Sequence, residues 1–416
     1  MLGGCEGSAS RPAQNILLIT IDTLRADRLG CYGFERPITP HIDALAAESL
    51  VFDRFYAPLP LTGPTHATLL TGREPWSTGL RYNGIPLPPE EISLAEQLKQ
   101  AGFATAAFVS GWTLKRNVVG LDRGFDVFDD DFDEIERRAG DTTERALSWL
   151  AGERSERWFL WVHFFDPHAL YDPPEPYRSR WSVEGRGAVA SLYDGEVAYV
   201  DAQVGRLMEA LEQHGHGDST LIVVTADHGE SLGEHGYFWD HGDLLFEDQV
   251  HVPFVIHSPD GSLRGRTDET GRSADLFPTL LGLLGIAAEH PVDGRNLLAE
   301  DLPPRVADYF ESNQCDHEAQ KKTNCWPLGN EGKLHALREG ALKLIRHPKQ
   351  SGVQYQLFDV FADPDERRDL WPGDDESGPA LRARLDAWRE TLPNTPDHPE
   401  IDMDTLRKLQ ALGYLR

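Results

Sequence analysis

The sequence lacks long apolar runs and is poor in positive charge. No segment approaches the roughly 18 consecutive apolar residues that a transmembrane helix needs, and the best runs, around 158–165 and 221–226, are only strand-sized. The 416 residues carry 40 Lys and Arg against 68 Asp and Glu, a formal net charge of −28. These shortages argue against a membrane-spanning protein and against a nucleic-acid binder.

Cysteine is scarce too, with four residues in the chain. Cys315 and Cys325 lie in one polar loop, where a disulfide and two free thiols are both compatible with the sequence. The start, Met1-Leu-Gly-Gly-Cys5, is similar to the end of a lipoprotein signal whose apolar part is missing upstream. We therefore expect a periplasmic or otherwise exported protein, with membrane association only through a lipid anchor at Cys5.

Strands and helices alternate along most of the chain, which predicts an α/β fold with a mostly parallel sheet sandwiched by helices. The apolar runs predict strands at 15–21, 103–110, 158–165, 220–226 and 252–257. Helical spacing is present at 40–49, 93–101, 142–151 and in a long segment that ends near 214.

The pattern changes after residue 296. Segments 334–338, 342–346 and 355–360 predict a small antiparallel sheet, 359–379 a linker, and 405–415 a short terminal helix. We expect an N-terminal tail at 1–14, a catalytic domain at 15–298 and a C-terminal antiparallel subdomain at 299–416.

Polar residues that directly follow strands are the first candidates for a site, because ligands collect at the carboxyl ends of parallel strands. Asp22 follows the first strand, and Asp227 and His228 follow the strand at 220–226. A carboxylate beside an Asp-His pair is a donor set for a divalent cation such as zinc. Taken alone, Asp22 is equally compatible with a helix cap or a turn.

Other polar residues extend this set. Thr62 stands just before Pro64, at a predicted helix start where a hydroxyl can act as nucleophile or as a helix cap. His235 and His241 follow the Asp-His pair in a glycine-rich loop. His168 follows the strand at 158–165 and could bind metal, act as a general acid, or pack on Tyr171.

The order of these motifs resembles the sulfatase family of the alkaline phosphatase superfamily, over residues 15–298. The motifs are Ile-Asp-Thr-Leu-Arg-Ala-Asp at 21–27, Thr-Gly-Pro-Thr-His at 62–66, Pro-His at 167–168, Asp-His-Gly-Glu at 227–230 and Asp-Leu-Phe-Pro-Thr at 275–279. The resemblance implies an alkaline-phosphatase-like fold and a sulfuric or phosphoric ester hydrolase.

Four departures limit what this resemblance implies. Thr62 stands where these sulfatases carry the Cys or Ser that becomes formylglycine, and threonine cannot form that aldehyde. Ile21-Asp22 replaces paired acids, His66 replaces an arginine, and His241 replaces a lysine. The chain thus loses two positive side chains and gains two imidazoles.

The site is more similar to that of phosphoethanolamine transferases in the same superfamily, which have a threonine nucleophile. That likeness implies a zinc site of Asp22, Thr62, Asp227 and His228, with a second cation or the leaving group near His168 and His241. Ca and Mn are alternative metals.

Four further side chains are candidates for contacts with the substrate anion. Arg25 and His66 are expected beside the reacting group, and Lys115 and His235 at the substrate. The alternative for Arg25 is a pair with Asp27, and the alternative for Lys115 is a solvated loop lysine.

We expect a metal-dependent hydrolase of sulfate or phosphate esters, in which Thr62 attacks sulfur or phosphorus and water then releases the group. The substrate would be a small anionic ester, linked to a sugar or a lipid. The alternatives are a phospho-group transferase to a lipid or sugar acceptor, and a catalytically silent binder of sulfated or phosphorylated glycans.

Overall fold

A computed structural model describes residues 15–133, 135–152, 157–312, 329–349, 351–373, 376–394 and 403–411. The proposed lipid anchor at Cys5 and the proposed pairing of Cys315 with Cys325 lie outside these residues. Cys31 is described and has a free thiol.

The described residues form a large sheet in which most strands run parallel. Its strands are β1 Asn15–Ile21, β2 Leu50–Tyr56, β3 Ala104–Phe108, β4 Val127–Asp129, β5 Trp158–Phe164, β6 Thr220–Ala226, β9 Phe254–His257 and β10 Gly265–Arg272. Their order across the sheet is β10-β2-β9-β6-β1-β5-β3-β4, and among them only β9 runs antiparallel to its neighbours.

The three central strands are buried on both faces. Every residue of β1, β5 and β6 is buried, because Val, Ile, Leu, Phe and Trp occupy successive positions instead of alternating with polar residues. This composition is typical of parallel strands that helices cover on both sides. The carboxyl ends of these strands therefore lie together at one edge of the sheet, where a site can form.

Helices pack around this sheet in two groups. They are α1 Pro40–Ala47, α2 Thr62–Thr71, α3 Pro75–Thr78, α4 Leu94–Gln100, α5 Ala139–Leu150, α6 Tyr177–Trp181, α7 Ala188–Gln213, α8 Glu247–Val250 and α9 Leu276–Leu283. The long helix α7 contacts α1, α5 and α6, whereas α2 contacts α3, α4 and α9. In the part of the chain that the structure describes, none of the helices is both long and apolar enough to span a bilayer.

Two smaller sheets complete the described fold. β7 Ser231–Leu232 and β8 Phe238–Asp240 form a short hairpin after β6. The antiparallel sheet contains β11 Asp308–Glu311, β12 His335–Glu339, β13 Leu342–Lys349 and β14 Gly352–Asp359 in that order. The remaining helices are α10 Gly329–Gly332, α11 Ser377–Thr391 and α12 Met403–Ala411.

Buried ion pairs connect the antiparallel sheet to helix α8 and to the segment after β14. Lys343 on β13 contacts Glu247 at 2.9 Å, where α8 begins, and Glu366 at 3.1 Å.

The predicted mostly parallel sheet with helices and the small antiparallel sheet are both confirmed. The segment expected to be a linker up to 379 ends in the first turn of α11, because Ser377 and Gly378 already belong to that helix.

Candidate active site

Three potential metal ligands meet at the carboxyl ends of the two central strands. Asp22 directly follows β1, and Asp227 and His228 directly follow β6. The parallel register that pairs Ile21 with Ala226 sets these residues side by side. One ligand atom from each of the three side chains lies within 4.8 Å of the others, and all three side chains are buried. The strand ends thus bring the two predicted ligand motifs to one point.

The charges of this group suit a divalent cation. Burial, and next the charge of Asp227, raises the pKa of Asp22 well above its ordinary value. Burial also raises the pKa of Asp227 to about 7. Oδ2 of Asp227 and Nε2 of His228 are buried without a hydrogen-bond partner in the described protein. Because buried polar atoms without partners are costly, their convergence fits a metal site.

The tautomer of His228 also fits a ligand. Its Nδ1 lies 2.9 Å from the carbonyl oxygen of Gly229, so Nδ1 carries the proton and donates it. Nε2 therefore keeps its lone pair and faces the two carboxylates, at 3.4 Å from Oδ2 of Asp227 and 3.9 Å from Oδ1 of Asp22. Burial lowers the pKa of His228 well below its ordinary value, so the ring is neutral. A neutral imidazole with one nitrogen fixed by a carbonyl is the usual form of a histidine ligand.

Thr62 stands at the first position of α2, beside this group. All residues of α2 are buried, so packing on every side fixes the helix. Pro64 occupies the first turn, where its lack of an N–H costs nothing. Hydrogen bonding from the Thr62 side chain to Asp22 lowers the pKa of that carboxyl, against the larger effects that raise it. The Thr62 hydroxyl thus lies between the positive end of a helix and the candidate metal ligands.

A chain of hydrogen bonds holds the start of α2. Nδ1 of His66 lies 2.8 Å from the carbonyl oxygen of Thr62, and its Nε2 lies 3.0 Å from Oγ1 of Thr20. Trp161 donates its indole N–H to the same Thr20 oxygen at 2.9 Å. Burial lowers the pKa of His66 to about 4, so the ring is neutral. Both ring nitrogens of His66 therefore contact protein atoms, and the side chain positions Thr62.

His163, the next-to-last residue of β5, is a residue that the sequence analysis missed. The backbone N–H of Ser110 donates to its Nδ1 at 3.3 Å, so Nε2 carries the proton of the neutral ring. Nε2 lies 3.4 Å from Oδ2 of Asp22. Burial lowers the pKa of His163 well below its ordinary value, which keeps the ring neutral. The sequence signal that could have identified His163 as a site residue is its polar side chain in an otherwise apolar strand.

Asn83 is a second residue that the sequence analysis missed. Its Oδ1 accepts a hydrogen bond of 2.8 Å from the backbone N–H of Gly63, the residue after Thr62. Its Nδ2 is buried and has no hydrogen-bond partner in the described residues. The amide therefore fixes the start of α2 and keeps a donor available there. The sequence carries no local signal for this contact.

His168 and His241 form the other side of the site. Their ring centroids are 5.0 Å apart, and the rings of His241 and His228 are 4.4 Å apart. Nδ1 of His168 donates to the carbonyl oxygen of Ala169 at 2.6 Å. Burial and next the charge of His241 lower the pKa of His168 to about 3. Both rings lie outside the three-ligand group, and the described residues contain no second group of that kind.

Glu230 sets the charge of His241. Its Oε1 lies 3.3 Å from Nδ1 of His241, and both side chains are buried. Burial lowers the pKa of His241, but the Glu230 carboxylate outweighs that effect and raises the pKa above its ordinary value. His241 is therefore the histidine of this site that carries a proton most readily.

Arg25 does not direct its guanidinium to the three-ligand group. Two of its nitrogens bind Asp27 at 2.8 and 2.6 Å. A third lies 2.9 Å from Glu234 and 3.1 Å from the carbonyl oxygen of Glu230. The structure thus shows Arg25 paired with Asp27, which is the alternative that the sequence also allowed. Through its contacts with Glu230 and Glu234, Arg25 stabilises the loop that carries Glu230.

Lys115 and His235 also have partners away from the ligand group. The ammonium of Lys115 donates to the carbonyl oxygen of Phe132 and lies 4.0 Å from the centre of that ring. The ring of His235 stacks on Phe246 with centroids 3.5 Å apart. The structure thus brings neither residue to the expected substrate anion.

Comparisons with known proteins identify relatives of the chain. A model of the sulfatase family matches residues 14–286. The chain is 24% identical to an arylsulfatase of Clostridium perfringens, over 91% of this chain and 93% of that protein. It is 22% identical to an N-acetylglucosamine-6-O-sulfatase of Bacteroides thetaiotaomicron, over 94% and 88%. The phosphonate monoester hydrolase of Agrobacterium radiobacter has a similar fold, with a TM-score of 0.74, 23% identity and coverage of 95% and 99%.

Proposed function

The chain belongs to the sulfatase family and is a sulfuric or phosphoric ester hydrolase, and we propose that it cleaves its substrate in two steps with Thr62 as the nucleophile. One observation carries this proposal. The Thr62 hydroxyl lies at the start of a buried helix and against the carboxylate of a three-ligand group. A hydroxyl in that position is activated by the helix dipole and by a cation.

Asp22, Asp227 and His228 would hold a divalent metal, with Thr62 as a further ligand. We propose zinc, because a set of carboxylate oxygens and one imidazole nitrogen suits it. Such an ion would lower the pKa of the hydroxyl and balance charge on the reacting group. His163 orients the Asp22 carboxylate, and His66 orients the backbone of Thr62.

In the first step, Oγ1 of Thr62, in the deprotonated form that a bound cation would favour, forms a bond to sulfur or phosphorus while the bond from that atom to the alcohol oxygen breaks. The leaving oxygen takes a proton from His241, whose Nδ1 side is held by Glu230. Nδ2 of Asn83 donates a hydrogen bond to an oxygen of the transferred group. The products of this step are the alcohol and an ester of Thr62.

In the second step, water attacks sulfur or phosphorus and the bond to Thr62 breaks. His241, now neutral, accepts the proton of the water, and the Thr62 oxygen leaves in the deprotonated form in which it entered the first step. The products are sulfate or phosphate and the starting enzyme. No formylglycine takes part, because oxidation of a threonine side chain gives a ketone instead of an aldehyde.

We propose a small anionic ester as the substrate. The relatives named above act on aryl sulfates, on an N-acetylglucosamine 6-O-sulfate and on phosphonate monoesters, by their names. Both sulfate and phosphate-type anions therefore belong in a test.

We also propose that residues 15–298 form the catalytic unit and that residues 299–416 form a C-terminal unit. We further propose that the protein is exported and carries a lipid anchor at Cys5.

The test is turnover by the metal-stripped protein after reloading with zinc, manganese or calcium. Aryl sulfate, aryl phosphate and aryl phosphodiester are compared side by side, for the wild type, Thr62→Ala and Thr62→Ser. The serine variant is the matched control, since it keeps the hydroxyl and loses one methyl group. We expect Thr62→Ala to lose turnover by about 10³-fold or more and Thr62→Ser to retain much of it.

Turnover that survives Thr62→Ala would contradict the proposed nucleophile. Turnover that is equal with and without metal would contradict the metal site. Mass spectrometry of rapidly quenched enzyme adds a direct readout, because the Thr62 ester adds the mass of one sulfate or phosphate group to the peptide that contains residue 62.

A further inference from the structure

The proposed reaction places the alcohol part of the ester near His241, because His241 gives its proton to the leaving oxygen. The side chains of Asp22, Thr62, Asp227 and His228 are fully buried. The ring of His168 lies beside that of His241, with centroids 5.0 Å apart. Two loops carry these histidines, 165–174 after β5 and 229–246 around the β7-β8 hairpin. We therefore expect the alcohol part of an ester held at Thr62 to extend toward these loops.

Both loops expose large apolar side chains within three residues of these histidines. Leu170 follows His168 by two residues and is 92% exposed, and Phe238 on β8 is 56% exposed. Trp239, next to Phe238, is half-buried and packs edge-on against Tyr171 with ring centroids 6.4 Å apart. The Trp239 to Tyr171 contact joins the two loops. We name Leu170, Phe238 and Trp239 the apolar rim.

The same loops hold no cation for a highly charged ligand. Neither 165–174 nor 229–246 contains a lysine or an arginine. The arginines nearest to them already have acidic partners, since Arg25 binds Asp27 and Glu234 and Arg178 binds Asp172. The net charge of −28 further opposes the approach of a polyanion.

We propose that the apolar rim binds the alcohol part of the ester, so that the preferred substrate has one anionic group attached to a long alkyl alcohol. This inference rests on the proposed function, because it takes the ester to be held at Thr62. Exposed apolar side chains beside a site lose water when an alkyl chain covers them, and each covered CH2 adds to the binding free energy. A sulfated or phosphorylated sugar would leave the rim in contact with hydroxyl groups.

The first experiment measures release of sulfate and phosphate from methyl, butyl and octyl monoesters and from glucose 6-monoesters, below micelle-forming concentrations. We expect kcat/KM to rise about twofold per added CH2, which corresponds to half-burial of the chain. Leu170→Ser and Phe238→Ser should remove most of this dependence on chain length. Val353→Ser, which changes a half-exposed valine on the edge strand β14, is the matched control.

A second experiment separates this inference from the proposed mechanism. Calorimetry of Thr62→Ala with methyl- and octylsulfonate, and with the two phosphonates, measures binding without turnover. Tighter binding of the octyl compounds that is lost in Leu170→Ser supports the rim even if Thr62 is not the nucleophile. Equal binding of methyl and octyl compounds, or faster turnover of the glucose esters in the wild type, would overturn the inference.

Discussion

Single buried side chains contact the candidate metal ligands, and His163 is an example. Its ring lies between the Ser110 backbone and the Asp22 carboxylate. We predict that His163→Leu weakens zinc binding by about 10- to 100-fold, because residues that orient a ligand typically contribute that much. His163→Gln should lose less, since its amide can accept from Ser110 and donate to Asp22. Competition with a chromogenic chelator measures the affinity.

The control for this prediction is His214→Leu, which changes an exposed histidine at the end of α7. It should bind zinc like the wild type. If His163→Leu also does so, the Asp22 carboxylate does not depend on His163.

Asn83 allows a test of the proposed hydrogen bond to the transferred group. Asn83→Asp keeps an oxygen for the Gly63 N–H but loses the NH2 donor, whereas Asn83→Ala loses both. We predict that both variants lose about 10²- to 10³-fold in kcat, as when one donor to a transition state is removed. Only the alanine variant should also lose about 1 kcal/mol of unfolding free energy. An aspartate variant with the kcat of the wild type would exclude the donor role.

The sequence predicts the candidate metal ligands of this site, but it does not predict the buried side chains that contact these ligands and the start of α2. Asp22 and the Asp227-His228 pair could be found because each directly follows an apolar strand. His163 and Asn83 could not, because their partners Asp22 and Gly63 come near only after the sheet and α2 have packed. The sequence predicts the pair of Arg25 and Asp27 only as an alternative to anion binding by Arg25.

At the scale of elements, continuous apolar runs predict strands well. β1 and β6 have the predicted bounds, since apolar residues fill nearly every position and a polar residue ends each run. β2 contains Asp53 and Arg54, and β10 at the sheet edge is almost entirely polar, so neither was predicted. Their strand structure depends on neighbours that a local pattern does not reveal.

The terminal helix α12 lies against the loop regions that flank Thr62. Leu409 packs with Leu59, Leu61 and Trp112 in one apolar cluster. Gly84, next to Asn83, has φ of +84°, and a Cβ there would lie 2.9 Å from Cγ2 of Thr405 and 3.1 Å from Cδ1 of Leu409. The helix thus packs on the segment that holds the start of α2.

We predict that Gly84→Ala displaces α12, because the added methyl group overlaps the helix and the left-handed backbone disfavours alanine. Limited trypsin digestion should cleave near Arg407 and Lys408 several times faster than in the wild type, and kcat should fall. Gly79→Ala is the control for backbone strain, since Gly79 has a similar φ of +79° and nothing within 4 Å. Equal cleavage in both variants would contradict the contact.

At the scale of the whole molecule, a buried ion cluster joins the antiparallel sheet to the segment after α3. Glu311 at the end of β11 binds Arg81 through two oxygens, one at 2.7 Å, and Lys333 at 3.2 Å. Burial alone would raise the pKa of Glu311, but the charges of Arg81 and Lys333 outweigh it and hold the pKa at about 2.

This cluster predicts a dependence of stability on pH. A carboxyl with a folded pKa of about 2 and an unfolded pKa of about 4.3 stabilises the fold above pH 4.3, and the contribution of about 3 kcal/mol disappears as pH falls toward 2. Urea unfolding at pH 6 and pH 3 measures the loss. Glu311→Gln should cost about 3 kcal/mol at pH 6 and show a smaller change between the two pH values.

The comparison for Glu311 is Glu339→Gln, which breaks a pair with the half-exposed Arg384. That pair should contribute at most about 1 kcal/mol. If the Glu311 and Glu339 variants lose equal stability at pH 6, the buried cluster does not stabilise the contact between the antiparallel sheet and the segment after α3.

The hydrogen bonds that link Trp161, Thr20, His66 and Thr62 allow only one assignment of donors and acceptors. An indole N–H can only donate and a backbone carbonyl can only accept, so every hydrogen in between has a single allowed place. The hydrogens on that side of Thr62 therefore have fixed positions, and His66 can neither take up nor give away a proton without breaking this chain of hydrogen bonds. In the proposed reaction, the histidine that exchanges protons is therefore His241, which contacts Glu230 on the other side of the site.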